Sequence, residues 1–171
     1  MPGKNYINSI LNYPRTIGSS NKEALRQACL FYHTFCGGNL TILKDTTSVE
    51  FAKILENSYR AANIAFIHEW TVYAEEIGVN LFEIIQSIKV RKGTHDNIMK
   101  PGFGVGGYCL TKDSLLAQWS INNIYGIDHS LRLTLEALKV NFEMPLHTFK
   151  RLKNVLSSFR DKTLLICGIS Y

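Results

Sequence analysis

The sequence predicts a mainly α fold, a helical middle flanked by remnants of two α/β units. Three observations carry this. Residues 14–45 read strand, helix, strand, the pattern of an α/β unit, but two strands are too few to stand alone. From Thr47 to Gly78 no Pro or Gly interrupts the chain, and apolar residues recur at three- and four-residue spacing, which predicts a helix of about 30 residues. "KTLLICGIS" near the C-terminus reads as a buried-type strand with nothing beside it to pair with. This organisation predicts an excerpt. Residues 1–45 close one α/β domain, 46–160 form the helical middle, and 161–171 open another.

Taken in order, "YPRTIGSS" is short and β-leaning. "NKEALRQACLFYHTF" places Ala24, Leu25, Ala28, Cys29, Phe31, Tyr32 and Phe35 on one helical face, and Gly37-Gly38 ends it. "NLTILKD" is β-branched and apolar, a second strand. Thr47 and Glu50 then form a T-x-x-E capping box for the long helix. Phe51, Ile54, Leu55, Tyr59, Ala62, Phe66, Ile67 and Trp70 make its broad apolar stripe. "NLFEIIQSIKV" adds a helix, residues 91–110 are glycine-rich and irregular, and "TKDSLLAQWSI" begins another helix with Thr111 as its cap. A last helical run spans 130–158, with Pro145 as a break or kink.

Composition narrows the function classes. Hydrophobic residues make up 46% and charged residues 19% of the 171, enough apolar surface for a core and too few charges for a disordered chain. The net charge of +5 suits an anionic small molecule, but Lys and Arg are scattered rather than clustered, which argues against a nucleic-acid partner. No apolar run approaches the ~20 residues of a membrane span. The N-terminus lacks a leader pattern, and the chain reads as cytoplasmic with reduced thiols. The four cysteines, Cys29, Cys36, Cys109 and Cys167, form no C-x-x-C and no zinc spacing, so no metal is expected. Three lie in apolar patterns and read as buried. Cys109 alone lies in a glycine-rich, polar setting.

That setting is "KPGFGVGGYCLTKD", Lys100–Asp113. Gly102 to Gly107 spell G-x-G-x-x-G, the dinucleotide fingerprint, and Asp128 lies near the acidic position. The fingerprint needs a strand before it, and "RKGTHDNIMK" holds no apolar run. The context fails. The glycines can still bring backbone N–H groups close to an anion, with Lys100 and Lys112 flanking. A cysteine just before a helix start has its thiolate favoured by the helix dipole. Asp113 shares a face with it only if the helix reaches back that far. A flexible surface turn is the bland alternative.

"PGFGVGGYCLTKD" resembles the cysteine signature of the UDP-glucose/GDP-mannose dehydrogenase family. "EFAKILENSYRAANIAFIHEW" resembles that family's central-helix pattern, with Lys53 and Asn57 at its functional positions. "PGKNYINSILNYPRTIG" and "MPLHTFKRLKN…DKTLLICGISY" resemble the segments on either side, so the likeness covers essentially the whole chain. It implies a helical middle domain with a 6-phosphogluconate dehydrogenase C-terminal-like fold between two Rossmann-like domains. It implies an NAD-dependent oxidation of a nucleotide sugar, a UDP-sugar above all, from C6 alcohol to carboxylate, using two NAD⁺, a step of polysaccharide biosynthesis. The long helix would form a homodimer.

On the same resemblance Cys109 is the nucleophile, through a thiohemiacetal and a thioester. Lys53 and Asn57, four apart on one helix face, would stabilise the oxyanion and position water. Asp113 would orient that water or Lys53, or accept a proton. Lys100 would lie near the substrate phosphate, with Phe103, Gly104, Val105, Gly106 and Gly107 along the substrate. The main NAD site is expected in a domain absent from this chain, and Lys112 is the only cofactor contact put forward within it. The 171 residues alone are therefore expected to be inactive. The chain departs from common family patterns at Tyr108 (often His), Thr111 (often Pro) and His68 (often Asn), and Arg91 is only a loose match for an arginine that reaches the partner subunit. Two other readings remain: a non-catalytic helical homodimerisation module, and an unrelated thiol enzyme using His95 as base.

Overall fold

A computed structural model describes residues 5–37 and 39–167. The chain divides into two units, Met1–Ile54 and Leu55–Tyr171. Its mainly helical build is the predicted fold class.

In the first unit the order is α1 (Tyr6–Asn12), β1 (Arg15–Gly18), α2 (Lys22–His33), β2 (Leu40–Leu43) and the start of α3 (Thr46–Glu76). The β-branched strands pair in parallel, Arg15 opposite Leu40 and Gly18 opposite Leu43, and α2 is the crossover such a pair requires. Asn21 caps α2 by accepting from the Ala24 N–H at 3.0 Å. The helix stops at His33, ahead of the glycines expected to end it, where the Thr34 hydroxyl bonds back to the Phe31 carbonyl at 2.6 Å. α1 carries no sequence signal. It is held from outside, by the Arg15 guanidinium on the Ser9 and Ile10 carbonyls at 3.3 and 2.9 Å.

The capping box expected at Thr47 is not the one used. Asp45 Oδ1 accepts from the Ser48 N–H at 2.8 Å and the Ser48 hydroxyl at 2.7 Å, and α3 begins at Thr46. A carboxylate three residues before a free helical N–H is the stronger cap. Gly18 permits this corner, because a Cβ there would lie 2.5 Å from the Asp45 carbonyl oxygen.

The second unit holds the rest of α3, then α4 (Leu81–Ile88), α5 (Tyr108–Asn123) and α6 (Arg132–Leu156). α3 ends where Gly78 takes φ +72° and the Val79 N–H reaches the Ala74 carbonyl at 2.8 Å. One core gathers Ile67, Ala74, Leu81 and Ile85, with Ile98 and Met99 packed on it. A second gathers Ala61, Leu110 and Leu138, with Ile64 and Val105. The irregular stretch before α5 is thus pinned at both ends, and Asn97 also donates to the Tyr59 hydroxyl at 2.8 Å. α6 runs through Pro145 without ending.

The expected closing strand does not form over its described part. Residues 162–167 have no regular structure and Cys167 is exposed, not buried. A lone strand has no backbone partner to satisfy its N–H and C=O groups. Residues 168–171 lie outside the described residues. Of the other two cysteines read as buried, Cys36 is buried and Cys29 half-buried.

Candidate functional site

α5 starts at Tyr108, three residues before the expected cap. Gly107 is the cap residue, at φ +82°, which a side-chain-bearing residue rarely adopts. Thr111 instead lies in the first turn, its hydroxyl on the Gly107 carbonyl at 2.6 Å. Because the helix reaches back past Cys109, Cys109 and Asp113 stand one turn apart on one face. Cys109 is exposed.

Asp113 is buried against α3. Its Oδ2 accepts from Asn57 Nδ2 at 2.7 Å, and Asn57 is 1% exposed. Its Oδ1 lies 3.6 Å from the Lys112 ammonium. The carboxylate therefore has a hydrogen-bond donor on one oxygen and a cation beside the other, which fixes its orientation. Directly beside this pair the hydroxyls of Ser58 and Ser114 meet at 3.0 Å, both buried.

The glycine loop leads into this corner. Gly104, at φ +137°, lies so close to α6 that a Cβ would stand 3.2 Å from Cδ and Cγ of Pro145. Proline has no N–H, so the Asn141 carbonyl loses its helical donor at that turn. The Asn141 side chain donates to the Ala61 carbonyl at 3.0 Å, tying α6 to α3 beneath the loop. Val105 points into the second core. Lys100, Phe103, Gly106 and Gly107 are exposed along the loop.

The structure thus brings Asn57, Cys109 and Asp113 together with the loop. Lys53, exposed, lies in the first unit, one turn before Asn57 on α3. His95 sits in the turn before the loop, bonded to the Thr94 hydroxyl at 2.7 Å. Sequence reasoning missed Ser58, Ser114 and Asn141. The available signal was positional: each serine directly follows a site residue, and Asn141 stands four before a mid-helix proline.

No strand precedes the loop, and residues 98–107 carry no regular structure, so they do not form a dinucleotide fingerprint. Lys112, put forward for cofactor contact, stays exposed with its ammonium 3.6 Å from Asp113 Oδ1. His68, on α3, is buried with neither ring nitrogen hydrogen-bonded, and burial pushes its pKa below the ordinary value. An open cleft of about 550 Å³ lies beside the start of the loop, with Phe82, Pro101, Phe103 and Met144 on its walls. At its edge Glu75 binds His147 at 2.8 Å and Arg151 at 3.1 Å. No helix among the described residues is long and apolar enough to cross a membrane.

Residues 47–143 match the sequence profile of the UDP-glucose/GDP-mannose dehydrogenase family, central domain. The chain is 32% identical over its full length to a UDP-N-acetyl-D-mannosamine dehydrogenase of Methanocaldococcus jannaschii, and covers 37% of that protein. It is 30% identical over its full length to an NDP-N-acetyl-D-galactosaminuronic acid dehydrogenase of Ralstonia nicotianae, covering 38% of it. The solved structure of a UDP-N-acetyl-D-mannosamine dehydrogenase from Pyrococcus horikoshii superposes with a TM-score of 0.79 at 30% identity, over 92% of this chain and 35% of the other. The chain therefore spans little more than a third of the length of the relatives it matches.

Proposed function

Because the chain belongs to the UDP-glucose/GDP-mannose dehydrogenase family, we propose that it supplies the helical, thiol-bearing part of an NAD-dependent nucleotide-sugar 6-dehydrogenase. The observation that carries this is the buried Asn57–Asp113 hydrogen bond one helical turn from an exposed Cys109, at the mouth of the glycine loop. The domain limits near residues 45 and 160 belong to the same proposal. A UDP-N-acetylhexosamine is the favoured substrate class, because the relatives named above act on N-acetylated sugars.

In this reading the C6 alcohol is first oxidised to the aldehyde. Cys109 sulfur adds to that carbonyl to give a thiohemiacetal. A second oxidation gives the thioester, and water releases the carboxylate and the free thiol. NAD⁺ supplies the two-electron acceptor for each oxidation, held mainly by residues outside this chain. Asn57 keeps the Asp113 carboxylate fixed, and Asp113 orients the hydrolytic water or takes its proton. Lys53 donates to the oxygen at the reacting carbon. Lys100 and the backbone of Phe103–Gly107 hold the nucleotide sugar, the lysine near its phosphates. The chain pairs with a second copy through α3.

The test uses the polypeptide that carries this segment, with UDP-N-acetyl-D-mannosamine and NAD⁺. Two NADH should form per carboxylate, and Cys109→Ser should lose carboxylate formation while Cys29→Ser keeps it. Undiminished turnover in Cys109→Ser would overturn the reading. For the 171 residues alone, NADH formation is expected to stay at the protein-free baseline.

The second reading, a non-catalytic dimerisation module, draws on the apolar residues that α3 leaves exposed, Trp70 and Tyr73 among them. It predicts dimerisation with no turnover from any form of the polypeptide.

A further inference from the structure

We infer that Ser58 and Ser114 are positioning residues: their buried hydroxyl pair sets the register of α3 against α5, and so holds Asn57 on Asp113. This rests on the reading of Asn57 and Asp113 as site residues. Consecutive residues on a helix point about 100° apart. Asn57 and Ser58 therefore present two flanks of α3, and Asp113 and Ser114 two flanks of α5. Both flanks are engaged at once, at 2.7 Å and 3.0 Å. Ala61 and Leu110 lie in one buried cluster with Leu138, so apolar packing accompanies the two hydrogen bonds.

The geometry demands closeness. A serine hydroxyl sits directly on Cβ, so a 3.0 Å contact between two of them forces the backbones near each other. Asn and Asp side chains are short as well, and they meet only at that spacing. A slip of one residue moves a helix by about 1.5 Å, enough to break either bond. The hydroxyl pair is independent of the charge chemistry. Ser58 and Ser114 are 8% and 2% exposed, whereas Cys109 is exposed. Two hydroxyls that only satisfied each other could be replaced together by methyl groups at little cost. A register pair replaced in that way would also keep its stability, but it would lose the placement of Asn57 on Asp113.

That difference supplies the test. Ser58→Ala, Ser114→Ala and the double variant are compared by thermal unfolding of the 171-residue chain. In the same chain the Asn57 side-chain amide resonances are followed by NMR. Each single variant should unfold at a lower temperature than the double variant, because it leaves one buried hydroxyl without its partner. The double variant should recover stability yet show the Asn57 amide signals shifted toward those of a solvent-exposed asparagine. In the polypeptide that carries this segment, its kcat should fall by about tenfold or more, with KM little changed, as expected for a misplaced reacting group. A double variant with wild-type Asn57 signals and wild-type kcat would overturn the inference, even if the single variants fail to fold. Shifted Asn57 signals in a protein that never turns over would overturn the dehydrogenase reading and leave the register pair standing.

Discussion

Asp113 sits at the meeting point of two helices, with one neutral donor on Oδ2 and the Lys112 ammonium beside Oδ1. Replacing Asn57 with Ala removes the 2.7 Å bond and leaves Oδ2 without that donor in a buried position. A loss of about 1–3 kcal/mol is expected in urea unfolding, more than for an ordinary surface change. Gly104→Ala should cost a similar amount, about 1–3 kcal/mol, because the residue combines φ +137° with a 3.2 Å approach to the Pro145 ring. Its effect should appear both in unfolding and as altered protease sensitivity of the loop. His68 sets a pH dependence. Its folded pKa lies below the ordinary 6.5 because burial disfavours the charged ring. The unfolded chain therefore binds the proton more readily. Stability from this group is complete above about pH 6.5 and declines as pH falls through the window below it. His68→Leu should flatten that part of the stability–pH profile, measured by thermal unfolding between pH 7 and 5.

Among the elements, α3 and α5 differ in how they are started. α3 is legible from Thr47 onward by its unbroken periodicity, but its cap is Asp45, set by the tight corner at Gly18. Asp45→Ala should cost about 0.5–2 kcal/mol, whereas Thr47→Ala should cost less, since Thr47 is not the capping residue. Double-jump unfolding of the two variants would separate them. α5 begins earlier than its polar residues suggest, because a glycine at positive φ can turn the chain straight into the helix. That shift of three residues puts Cys109 inside the first turn and in line with Asp113. α1 had no periodic signal at all. It forms beside an arginine that reaches back from β1.

For the molecule as a whole, the exposed aromatic residues of α3 are the largest unexplained feature of the second unit. Tyr59, Phe66, Trp70 and Tyr73 recur at helical spacing and all remain exposed in a single chain, as does Leu55. Trp70 meets Phe66 in a tilted contact and Tyr73 edge-on, each with ring centroids 6.0 Å apart. Under the proposed homodimer, Trp70→Asp should convert the sedimenting species to a monomer while far-UV circular dichroism keeps its helical signal. A wild-type chain that sediments as a monomer at high concentration would sink the dimer.

The sequence by itself determined the helical class, the strand–helix–strand order of the opening unit, the long central helix and the family. Each of these rests on local pattern: periodicity of 3.6 or 2, β-branched runs, and short motifs such as "GFGVGGYCLTKD". Tertiary structure decided what touches what. Asn57 and Asp113 are 56 residues apart, as are Ser58 and Ser114, and no local pattern encodes a hydrogen bond across that distance. The glycine loop spells a cofactor fingerprint, but it sits on Pro145 and runs straight into α5 with no strand before it. A glycine's letter says only that a backbone can bend or come close. Which surface it comes close to is fixed by the packing of α3, α5 and α6.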